Sequence, residues 1–201
     1  MNKSFLLLCF FLMMATSAHA ERIVITPFIG YGIGGQFEET TTESSLELDE
    51  SPLYGLSINF NAPHGGQYEI FYSRQDTELT SNGFASGSAL FDMDIHYLHI
   101  GGTIAYGYDW IKPFIVGTVG ITHFDPSPSG YNSKTRFSFS LGGGLMFILT
   151  DHIGIRLEAR GFGTLFNSTI WFVSNVGGAN FGVAGDAVWQ AQLNAGLMLA
   201  F

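Results

Sequence analysis

Cysteine is nearly absent: Cys9 is the single one in 201 residues. An internal disulfide framework is thereby excluded, and so is a cysteine metal centre. Basic residues are scarce as well, with 8 Lys and Arg against 17 Asp and Glu and a formal charge of −9. Nucleic acid is therefore not an expected partner, because phosphate binding relies on clustered Lys and Arg. Charged residues of both signs make up only 12% of the chain, about half the ~25% of a typical soluble domain. After the first twenty residues no apolar run nears the roughly 20 residues that a spanning helix needs.

What is present points elsewhere. Lys3, an apolar run from Phe5 to Met14 and the small-residue close Ala18-His19-Ala20 read as a cleaved secretory signal over residues 1–20, which leaves 21–201 as one domain. Aromatics reach 15% and glycines number 26. An exported chain poor in charge, rich in aromatics and glycine, and without spanning helices is expected to be a transmembrane β-barrel.

Alternation bounded by turn residues predicts eight strands, near 22–35, 52–61, 67–75, 92–105, 112–123, 135–148, 152–164 and 187–201. Connections around 61–66, 106–111 and 149–151 are short, and those at 36–51, 75–91, 124–134 and 165–186 are longer. Bacterial barrels pair short periplasmic turns with long external loops. The expected fold is thus an all-β, eight-stranded, antiparallel up-and-down transmembrane β-barrel in the outer membrane, with both termini periplasmic.

Successive strand side chains point to opposite faces. In the last strand Trp189, Leu193, Leu197, Leu199 and Phe201 share one parity, and Gln190, Gln192 and Asn194 share the other. Phe137, Phe139, Leu141 and Leu145 oppose Arg136, Ser138 and Ser140, while Ile153, Ile155 and Leu157 oppose Arg156, Glu158 and Arg160. Tyr68, Ile70 and Tyr72 oppose Glu69 and Ser73. Glu69, Arg136, Arg156, Glu158 and Arg160 therefore all fall on the inward parity and are expected to form a paired polar network, since an isolated buried ion is costly. Which strands bring them level stays open at this point.

The stretches Tyr68-Glu69-Ile70-Phe71-Tyr72-Ser73, His99-Ile100-Gly101-Gly102-Thr103, Lys112-Pro113-Phe114-Ile115-Val116-Gly117 and Arg156-Leu157-Glu158-Ala159-Arg160-Gly161, with the terminal Phe201, resemble small outer-membrane β-barrel proteins of the OmpA transmembrane-domain and OmpX type. The resemblance implies that the barrel assembly machinery reads Phe201, Leu199 and Leu197 as an assembly signal. It also implies contact with outer-membrane lipids and lipopolysaccharide, and a monomeric state.

No catalytic, cofactor or metal set is expected. Acyl chemistry needs a serine and a histidine base on one face, with an acid orienting the base. His64 and His152 fall at turns of the periplasmic side, His96 and His99 face opposite ways, and His123 with Asp125 and Ser127 reads as a girdle histidine entering a loop. Gly30-Tyr31-Gly32-Ile33-Gly34-Gly35 matches a dinucleotide fingerprint in spacing, but no helix pattern follows it; its glycines are expected to relieve packing between curved strands. The acidic loop 36–51 is expected to be a solvated face, with divalent-cation bridging to lipopolysaccharide phosphates as the alternative. Ile170-Trp171-Phe172-Val173 is expected to be a strand continued beyond the membrane, with an apolar entrance for small hydrophobic molecules as the alternative. The function expected is structural or surface-interacting, with a lumen closed by side chains. A narrow conduit or binding protein for small hydrophobic molecules, and a lipid A-modifying enzyme, are the alternatives.

Overall fold

A computed structural model of the chain describes residues 23–34, 36–38, 45–62, 66–81, 88–107, 109–126, 133–166, 169–175, 178–184 and 187–201. The expected signal segment, His64 and Ser127 lie outside the described residues. The strands are β1 (Ile23–Ile33), β2 (Gln36–Glu38), β3 (Ser45–Leu48), β4 (Ser51–Asn61), β5 (Gly66–Ser81), β6 (Ser88–Ala105), β7 (Ile111–Pro126), β8 (Lys134–Ile148), β9 (Ile153–Leu165), β10 (Thr169–Asn175), β11 (Gly178–Ala184) and β12 (Ala187–Ala200). None of the described elements is a helix.

Eight of these strands close into a ring. Antiparallel pairing runs β1–β4–β5–β6–β7–β8–β9–β12 and returns to β1, so no barrel strand is left with an open edge. Closure is completed beside the chain end, where the Phe201 amide donates to the Ile23 carbonyl at 2.9 Å. The β1–β12 ladder keeps one register from Val24↔Ala200 to Ile33↔Ala191 but skips Thr26 and Pro27. Pro27 has no N–H to donate, and the seam between first and last strand omits a rung there.

Both described ends of the chain lie at one end of the barrel, with the tight connections 62–65, 106–110 and 149–152. At the opposite, distal end β5 and β6 run past the expected boundaries, and β3 pairs with the top of β5 through Leu46↔Ser81 and Leu48↔Leu79. The stretch after β9 forms a separate two-stranded hairpin, Thr169↔Ala184 to Asn175↔Gly178. The continued strand expected there is instead a hairpin of its own.

The alternation sorts the side chains as expected from sequence. On β12, Trp189, Leu193 and Leu197 are 61%, 52% and 47% exposed, whereas Gln192 is 1% exposed. On β9, Ile155 and Leu157 face out while Arg156, Glu158 and Arg160 are buried within. A soluble sandwich would reverse this, burying leucine and exposing arginine. Here the exterior is the apolar phase, as a lipid-facing wall requires.

The glycines of β1 serve packing. A Cβ at Gly32 would collide with the Gln75 side chain, and one at Gly30 with the Asn194 side chain and the Leu193 carbonyl. Their fingerprint spacing thus reflects room for lumen side chains and no phosphate cradle.

Candidate functional site

The lumen is built in layers. Nearest the termini, Val24, Phe114, Val116, Met146 and Met198 form an apolar plug. Towards the distal end, Phe28, Leu53, Phe71, Ile95, Tyr97, Phe124 and Phe162 form a second and larger apolar layer. Four charged side chains lie between them.

Those four make a closed cycle. Arg156 bridges Glu69 at 2.8 Å and Glu158 at 2.5 Å. Arg160 bridges the same two carboxylates, Glu69 at 2.5 Å and Glu158 at 2.5 Å. Charges alternate around the ring, so every ion has two opposite neighbours and no like neighbour in contact. Glu69 also accepts from the Asn59 amide at 3.1 Å and the Thr103 hydroxyl at 3.0 Å. The guanidinium faces lie over aromatic rings, Arg160 over Phe71 at 3.9 Å and Arg156 over Phe114 at 4.4 Å, which adds cation–π attraction in a dry interior.

Strand order explains why this works. Around the ring of eight, β5 and β9 stand on opposite walls, so Glu69 spans the lumen to reach Arg156 and Arg160. The long side chains sit beside inward glycines: Arg160 is registered with Gly142, Glu158 with Gly144 and Glu69 with Gly101. Large beside small is how a narrow barrel fills its interior. The run Gly142-Gly143-Gly144 is thus the complement of Arg160 and Glu158 on the neighbouring strand. A cavity of about 10 Å³ remains beside the cycle, lined by Thr26, Ser57, Arg156, Glu158 and Asn194 among others, which is room for about one water.

Arg136 corrects the expected network. Its parity is inward, but it stands opposite Thr122, three inward positions from Gly142 along β8. At about 3.3 Å per residue that separates it from the cycle by roughly 20 Å. Its guanidinium lies 5.7 Å from the Phe166 ring instead. Parity assigns a face; it does not assign a level.

A second buried group escapes the sequence reading. His99 Nε2 lies 2.8 Å from the Ser138 hydroxyl, and Nδ1 lies 3.0 Å from the Thr118 hydroxyl. This has the outline of a nucleophile and its base, yet His99 and Ser138 are both 0% exposed, and a hydroxyl stands where a triad has its carboxylate. Its chemistry is that of a satisfied polar bridge joining β6, β7 and β8. Phe162 packs on the same imidazole edge to face, with centroids 5.3 Å apart. Tyr97 donates across the lumen to the Gln190 side chain.

On the outer wall, His96 and His123 are directly opposed on β6 and β7, with ring centroids 6.1 Å apart. The next outward row towards the distal end is Asp76, Asp94 and Asp125, also in register. These histidines are far apart in sequence, and only strand pairing brings them together. Phe201, Leu197 and Leu199 are on the outward parity at the termini end, with Phe201 74% exposed.

A closed eight-stranded antiparallel barrel with an apolar exterior and a polar, charge-paired interior defines a transmembrane β-barrel. The chain belongs to the family of the outer membrane protein beta-barrel domain, whose model matches residues 5–201, and that family is one of outer membranes. No curated protein sequence matches it. Among solved structures it is similar to Neisserial surface protein A, with a TM-score of 0.60 at 11% identity over 90% of this chain and 97% of that one. It is also similar to the outer membrane protein OprG of Pseudomonas aeruginosa, with a TM-score of 0.58 at 10% identity over 90% and 96%. The amino-terminal barrel domain of OprF from Pseudomonas aeruginosa gives 0.51 at 12% identity over 89% and 98%. At these identities the likeness is one of fold.

Proposed function

We propose that this protein is a non-enzymatic outer-membrane barrel with a structural or surface-interaction role, its lumen closed by its own side chains. The observation that carries the reading is the cycle of Glu69, Arg156, Glu158 and Arg160, buried and mutually bonded between two apolar layers. An eight-stranded barrel is just wide enough for side chains to fill, and open aqueous channels belong to barrels of 16 or more strands. The layout supports an orientation. Short connections and both described chain ends share one end of the barrel, which supports the periplasmic arrangement of bacterial barrels; in this reading the distal hairpins lie outside the cell. There they contact lipopolysaccharide and whatever partner the surface meets. In the same reading Phe201, Leu199 and Leu197 are the segment that the barrel assembly machinery engages, and the mature barrel is a monomer.

Reconstitution tests this. In planar bilayers the purified chain is expected to give no sustained conductance, and outer membranes with and without it should carry lipid A of the same mass. A steady ohmic conductance would refute the closed lumen, and a changed lipid A mass would refute the non-enzymatic reading.

A further inference from the structure

The opposed pair His96 and His123 has the features of a ligand set. Directly opposed residues on antiparallel strands carry Cβ atoms about 4.5–5.5 Å apart, and both side chains belong to the outward parity. Each ring is held by its Nδ1. His96 Nδ1 is hydrogen-bonded to the Tyr72 hydroxyl at 3.0 Å, and His123 Nδ1 to the Thr135 hydroxyl at 2.8 Å. A hydroxyl that accepts the Nδ1 proton leaves Nε2 with its lone pair, and outer partners of this kind orient histidine ligands and set their tautomer. Neither Nε2 has a hydrogen-bond partner among the described residues.

The surroundings favour a cation. Arg74 pairs with Asp76 at 2.9 Å and with Asp94 at 2.8 Å. Asp125 stands opposite Asp94 and has no ion-pair partner among the described residues. Arg74 itself stands directly opposite His96 with its charge engaged by those two carboxylates, whereas Asp94 and Asp125 face each other in the next row, and like charges placed opposite one another destabilise a sheet. A bound cation would relieve that repulsion.

We propose that His96 and His123 bind one divalent transition-metal cation, of the Cu²⁺, Ni²⁺ or Zn²⁺ class, through their Nε2 atoms on the outer wall at the distal edge of the apolar band. Imidazole nitrogen suits these ions, whereas Mg²⁺ and Ca²⁺ prefer all-oxygen shells. Among the described residues no group of three or more His, Cys, Asp and Glu is assembled for a metal. Solvent therefore completes the shell, and the ion exchanges freely where a closed four-ligand site would hold it.

Titration calorimetry on the full chain, purified without a histidine tag, tests the site. One Cu²⁺ should bind per chain more tightly than Ni²⁺ or Zn²⁺, following the usual order for nitrogen ligands, and Mg²⁺ should not compete. His96→Gln and His123→Gln should each weaken Cu²⁺ at least about tenfold, since loss of an outer-shell partner alone typically costs 10–100-fold. His152→Gln, at the opposite end, should leave binding unchanged. In the unmutated chain Zn²⁺ should protect His96 and His123 together from diethyl pyrocarbonate, read by mass spectrometry, which gives the same answer without a variant. Absence of binding, full affinity in either variant, or reaction of the two histidines unaffected by Zn²⁺ would overturn the proposal.

Discussion

Glu69→Ala is expected to destabilise the barrel by about 3–5 kcal/mol, the range for removing one partner of a buried ion pair. The deletion strips Arg156 and Arg160 of one bridge each. Two guanidiniums then share Glu158 in a space that holds about one water, and the charge left without a partner accounts for most of the loss. The same reasoning gives a contrasting result. Replacing all four ions together with apolar residues of similar volume should be close to neutral, because the desolvation penalty leaves with the attraction. Urea unfolding followed by tryptophan fluorescence, with gel mobility before and after boiling, measures both. A loss below about 1 kcal/mol for Glu69→Ala would mean that water reaches the cycle.

Phe162→Ala is expected to cost about 3–5 kcal/mol, the range for deleting a fully buried aromatic ring. The ring is 0% exposed and lies 4.2 Å from Tyr97, 5.3 Å from His99 and 5.9 Å from Phe71 by centroid distance. It ties three strands across the distal layer of the lumen. Phe139→Ala serves as the comparison. Phe139 lies on the outward parity of β8, edge to face with Trp189 at 5.5 Å. Lipid tails can fill the space it leaves, since they are as apolar as the side chain removed, so a much smaller loss is expected. Equal losses at the two positions would contradict the assignment of inner and outer faces.

Most of this architecture is legible in the sequence because a barrel wall writes itself as a period of two. The alternation Ile155, Leu157 against Arg156, Glu158, Arg160 separates the faces from the sequence alone, and all eight barrel strands fall within a few residues of their expected spans except where β5 and β6 lengthen. The family resemblance points to the same wall. Level is not legible. Glu69 meets Arg156 and Arg160 because opposite walls and strand stagger bring them together, and those follow from closure of the whole ring. Arg136 shares their parity and misses their level for the same reason. Tyr97, Phe114 and Val116 blur the inner faces in sequence since they belong to the apolar layers that cap the charged cycle. The histidine pair is hidden by strand register, which sets His96 against His123 and His99 against Gly120.

The measurement that bears most directly on the closed lumen is a spin-label scan of β9 and β12 in lipid bilayers, one site at a time. Positions 155, 157, 193 and 197 should respond to oxygen, which partitions into hydrocarbon, and the lumen positions 192 and 194, which lie outside the charged cycle, should respond neither to oxygen nor to a water-soluble paramagnetic complex. Strong relaxation of the second set by the water-soluble complex would reveal an aqueous pore, and the closed, charge-braced lumen would be wrong.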